Sequence, residues 1–83
     1  MRFMYFQMVD VILNKDGDHE LLSHDEVYLF LPPKTPIAVQ EHPLTHLACC
    51  VMIGATNDRD KGFIVEGEIE DVLNKITSYF KGY

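Results

Sequence analysis

The chain is short of basic charge, serine and long apolar runs, and each shortage narrows what it can do. Seven Lys and Arg stand against thirteen Asp and Glu, a formal net charge of −6 with a pI near 4.9. Attraction to a phosphate backbone or an anionic lipid surface is therefore disfavoured. Direct nucleic-acid binding is not expected, and a basic protein surface suits the chain better. An acidic inhibitor that occupies a nucleic-acid groove is the sharp form of that idea, and ordinary solubility charge is the plain one. No stretch approaches the roughly 20 apolar residues of a membrane-spanning helix, so no membrane partner is expected.

Ser23 and Ser78 are the only serines, which leaves little room for seryl chemistry. The five glycines, at positions 17, 54, 62, 67 and 82, are scattered, and none opens a phosphate-cradling loop with its lysine. Neither a Gly-x-Ser-x-Gly elbow nor a His-Glu-x-x-His string occurs. No cofactor is expected.

Cysteine is scarce as well. Cys49 and Cys50 are adjacent, and neighbours on a strand point to opposite faces, so a bridge between them would need a strained turn. Two reduced thiols agree with a cytoplasmic location. The start, Met1 to Leu13, has one positive charge and is apolar like a secretory signal, but Asp10 interrupts the apolar stretch and no small-residue cleavage site precedes Asn14-Lys15-Asp16-Gly17.

What is present is the material of one folded domain, residues 1–83: 47% hydrophobic, 24% charged and nine aromatics. A chain this small buries a modest fraction of its surface, and self-association would widen its stability margin. Phe3 to Leu13 reads as a strand with two apolar faces, Phe3, Tyr5, Val9, Val11 and Leu13 on one and Met4, Phe6, Met8 and Ile12 on the other. Asp16-Gly17 supplies a tight turn. His19 to Leu22 continues the hairpin, Ser23-His24-Asp25-Glu26 reads as a polar bend, and Val27 to Leu31 as a second β run ended by Pro32 and Pro33. Ile37 to Gln40 is a short strand broken by Glu41-His42-Pro43. Thr45 to Ile53 suits a buried strand better than a helical turn, and Phe63 to Val65 is the last strand.

The clearest period belongs to Glu68 to Lys81, where Ile69, Val72, Leu73, Ile76 and Phe80 form one helical stripe. Glu68, Glu70 and Asp71 favour its N-terminal turn, Lys81 its last turn, and Gly82 its stop. The expected fold is a small α+β domain in the order β-β-β-β-β-α: a mostly antiparallel sheet of about five short strands with one C-terminal amphipathic helix packed on it.

Several constellations tempt a chemical reading. His42, His46, Cys49 and Cys50 are the ligand types zinc prefers, but their spacing lacks the two-knuckle pattern, and an extended segment cannot bring all four to one ion. Buried thiols beside a surface histidine pair are the plainer account. Cys49 or Cys50 as a nucleophile with His19, His24 or His46 as base is disfavoured by the apolar setting Leu-Ala-Cys-Cys-Val-Met-Ile. Calcium loops starting at Asp16 or Asn57 fail: the first places glycine second and has none at the sixth place, and in the second the cationic Arg59 and Lys61 occupy the third and fifth places, where oxygen ligands are required. The aromatics Tyr5, Phe6, Tyr28, Phe30 and Phe63 lack the interleaved basic residues of a single-stranded nucleic-acid platform.

The sequence therefore predicts a non-enzymatic, acidic binding or regulatory protein, an inhibitor or accessory factor of a phage or bacterial kind, acting through protein–protein contact and associating with itself. Its interface is placed on the N-terminal strand and its partner, at Tyr5, Phe6, Met8, Tyr28 and Phe30. A metal or small-ligand sensor using His42, His46 and Cys49 or Cys50 is the alternative, and a small enzyme with a Cys/His site is the third reading.

Overall fold

The computed structural model describes residues 2–54 and 62–82. Five strands and a helix follow one another: β1 (Met4–Leu13), β2 (His19–Leu29), β3 (Ile37–Glu41), β4 (Ala48–Ile53), β5 (Phe63–Glu66) and α1 (Ile69–Lys81). The strands form one sheet in the order β2-β1-β5-β4-β3, with antiparallel pairing throughout. The expected α+β architecture, sheet plus C-terminal helix, is the architecture observed. Thr45 to Ile53 resolves as a strand from Ala48 onward, as its Cys-Cys-Val-Met-Ile composition favours.

β1 and β2 make a long hairpin closed at Asn14–Asp18. The Asn14 side-chain oxygen accepts the backbone N–H groups of Asp16 and Asp18, and Gly17 takes a positive φ of 83°, so the turn is held by an Asx interaction as well as by glycine's freedom. The polar bend expected at Ser23–Glu26 is a β-bulge instead. Gln7 pairs with Glu26 and Val9 with Ser23, so two residues of β2 oppose Met8 alone, and the strand runs on without a break. The Gln7 side-chain amide donates to the Asp25 carbonyl at 3.0 Å, satisfying a group that the irregular ladder exposes.

Alternation along the strands splits the apolar residues between two faces. On one face lie Met4, Phe6, Cys49, Val51 and Val65, and α1 closes over them with Val72 and Tyr79. The helix departs from the expected stripe in two places. Leu73 stands 44% exposed, whereas Tyr79 is buried. Its hydroxyl donates to the Leu31 carbonyl and accepts from the Leu31 N–H, both at 2.7 Å. Tyr79 thus gives the backbone just beyond β2 the partners a further strand would give. Lys75 reaches the Tyr5 carbonyl at 2.9 Å and lies 4.8 Å from the Phe6 ring centre, pinning the helix to β1 by hydrogen bond and cation–π contact.

The second face is not bare. Val9, Ala48, Cys50 and Met52 are also buried, and alternation puts them opposite the helix. Gly62 comes so close to them that a Cβ there would fall 2.7 Å from Cys50 Sγ and 2.8 Å from Met52 Cγ. Only glycine fits that approach.

Candidate functional site

The part of the second face left open is aromatic. Tyr5 and Tyr28 are direct cross-strand partners, with ring centres 5.3 Å apart. Phe3, just before β1, sits 5.3 Å from Tyr28 and 5.9 Å from Phe30. The four rings form a continuous array of edge and tilted contacts, the geometry aromatic quadrupoles favour. Phe3 is 50% exposed, Tyr28 49% and Phe30 55%, while Tyr5 is half-buried.

Below the rings on the same face stand Gln7 and Glu26. The Tyr28 hydroxyl donates to Glu26 Oε2 at 3.0 Å, and the Tyr5 hydroxyl lies 3.4 Å from Gln7 Oε1. The hydrogen bond to Glu26, with its negative charge, raises the Tyr28 pKa above the ordinary phenol value, because both favour the protonated ring.

Of the residues expected at an interface, the structure brings Tyr5, Tyr28 and Phe30 together. Phe6 is corrected: it is 1% exposed, under the helix. Met8 is half-buried and paired with Val65, on the helix side. Both belong to the face that α1 covers. Phe3 is the member that sequence reasoning left out of the interface, although its place on the Tyr5 and Val9 face was readable from the alternation.

The metal and thiol candidates are dispersed. Cys49 lies on the helix face, where its thiol donates to the Gly67 carbonyl at 3.4 Å; desolvation, and then the charges of Glu41 and Cys50, push its pKa up. Cys50 lies on the opposite face, against Gly62. His42 Nδ1 accepts the Leu44 N–H, His46 Nε2 is 3.7 Å from Glu68 Oε1, and His24 sits between Asp10 and Asp25. His19 faces Leu13 at the end of the hairpin. Among the described residues, no three His, Cys, Asp or Glu side chains are grouped so as to hold a metal ion. Of the loop counted from Asn57 as a calcium candidate, positions 57–61, with Arg59 and Lys61, lie outside the described residues.

One open cleft of about 200 Å³ lies at the start of α1, lined by Glu41, His46, Glu68, Ile69 and Glu70. It is acidic, and its histidine already faces Glu68. No described helix is long and apolar enough to cross a membrane. No protein family, characterised protein or solved structure matches the chain.

Proposed function

We propose that the chain is a non-enzymatic protein-binding module, of the regulatory or inhibitory kind, whose docking surface is the aromatic face of the β1–β2 hairpin. The observation that carries this reading is the array of Phe3, Tyr5, Tyr28 and Phe30, three of whose rings are about half exposed. Half-exposed rings gathered on one face are unfavourable in water, and aromatic side chains dominate the centres of protein interfaces. The rings are also not needed to build the helix-side core, which Met4, Phe6, Val65, Val72 and Tyr79 fill without them.

The test is differential capture from native lysate with the wild-type chain and a Tyr28→Ser/Phe30→Ser variant of matched circular dichroism and melting temperature. A protein retained by the wild type and lost by the variant is the expected outcome. Identical captured sets would end the reading.

A second surface favours self-association. Beyond the last β5 contact, Val11–Leu13 and His19–Leu21 pair with no third strand among the described residues, and Ile12, Leu13 and the neighbouring Leu22 stay exposed. A two-stranded arm is only marginally stable in water. A second copy clasping this arm would cover aliphatic side chains on both its faces.

A further inference from the structure

The aromatic face has a charge signature that selects among partners. The six side chains sharing this face from Phe3 to Gln7 and from Glu26 to Phe30 are four rings, one amide and one carboxylate. The single charge is negative. Glu26 Oε2 accepts the Tyr28 hydroxyl, which holds the carboxylate beside the ring edge and leaves its other oxygen to accept from a partner. Of the two nearby cations, Arg2 Nη1 donates to the Tyr79 carbonyl, and Lys75 Nζ donates to the Tyr5 carbonyl and lies 5.7 Å from the Tyr5 ring centre, at the end of the array away from Phe30.

From this arrangement we infer that the face takes an arginine-bearing segment of a partner protein, stacking a guanidinium on the Tyr28 and Phe3 rings with its N–H edge on Glu26. This rests on the docking reading above and names the chemistry of the partner. Arginine fits better than lysine because its planar, weakly hydrated cation stacks on a ring while its edge still donates to a carboxylate. The net charge of −6 attracts a basic segment at long range. Area points the same way. Aromatic side chains offer about 150–250 Å² each, so three half-exposed rings present roughly 300 Å². A stable dimer interface needs nearer 800 Å² on each partner. The array is too small to hold two copies together and ample for a few side chains of one segment.

The experiment is an NMR titration of the full chain with three otherwise identical glycine-spaced hexapeptides carrying arginine, lysine or citrulline. The arginine peptide is expected to shift the ring resonances of Phe3, Tyr28 and Phe30. The lysine peptide should bind several-fold more weakly, and citrulline, which keeps the planar shape without the charge, should not bind measurably. Tyr28→Ala should weaken arginine binding about tenfold and Glu26→Gln a few-fold, while Glu70→Gln, in the remote cleft, should match the wild type. Equal binding of the arginine peptide by wild type and by a folded Tyr28→Ala/Phe30→Ala variant would overturn the inference. So would ring shifts as large with citrulline, or no ring shifts at millimolar peptide. If the peptide fails but lysate capture still depends on Tyr28 and Phe30, the docking face stands and only its arginine chemistry falls.

Discussion

Single side chains settle several energetic questions in this molecule, and Tyr79 is the most consequential. Its hydroxyl closes both backbone groups of Leu31, so Tyr79→Phe removes one oxygen and leaves a part-buried N–H and C=O without that partner. Each lost hydrogen bond contributes about 0.5–1.5 kcal/mol, and urea denaturation should show a loss of about 1–3 kcal/mol for the pair with an unchanged m-value. Cys49 illustrates the opposite case, in which burial first, and then the charges of Glu41 and Cys50, quiet a reactive group. Its raised pKa means that the unfolded chain gives up the thiol proton first. The associated stability is whole below the ordinary thiol value of about 8.5 and declines as the pH rises past it. Melting temperature followed from pH 7 to pH 10 should fall more steeply for the wild type than for Cys49→Ala. Native Cys49 should also react with a thiol reagent at pH 7.5 far more slowly than the unfolded chain.

The helix and the hairpin show how elements divide the work. A stripe of Ile69, Val72, Leu73, Ile76 and Phe80 correctly marks the helix, but the docked face is rotated toward Val72, Ile76 and Tyr79. The sequence carried a signal for this, since Tyr79 falls seven residues after Val72 and three after Ile76. A phenol looks half polar until its hydroxyl finds a partner, and that partner, Leu31, lies 48 residues away. The rotation has a measurable consequence. Val72→Ala should cost about 2 kcal/mol, while Leu73→Ala, at an exposed position, should cost under about 1 kcal/mol. Equal losses in a denaturation series would contradict the docking angle. In the hairpin, the polar run Ser23–Glu26 marks an irregularity at the right place. Whether it breaks the strand or bulges depends on the facing strand, where Gln7 supplies the hydrogen bond that keeps β2 continuous.

At the scale of the whole molecule, two open surfaces have different consequences. The aromatic face is small and acidic at its rim, which suits a segment of another protein. The hairpin arm is aliphatic on both sides, which suits a second copy. Sedimentation velocity at micromolar concentration distinguishes them. If the arm mediates association, Leu13→Asp/Leu22→Asp should convert a dimer to a monomer, and Tyr28→Ser/Phe30→Ser should leave the dimer intact. Substitution of Phe6 or Met8 is a poor probe, since these residues lie on the helix side and report on folding.

Local pattern determined a good deal here. The 3.6-residue period and acidic first turn set the helix, the β-branched and aromatic runs set the strands, and Asp16-Gly17 set the hairpin turn, because each depends on neighbours within a few residues. Alternation also showed that the first strand has two apolar faces. Which of them the helix would cover, and how much of the other would stay open, only the tertiary structure decided. Covering a face depends on where a distant element docks. Lys75 lies 70 residues from the Tyr5 carbonyl it binds and Tyr79 lies 48 from Leu31, and Gly62 reaches the opposite face from beyond β4. Strand alternation alone sent Cys49 and Cys50 to opposite faces, whereas long-range packing set His46 against Glu68. It also joined Phe3 and Phe30, which only the pairing of two strands could set side by side.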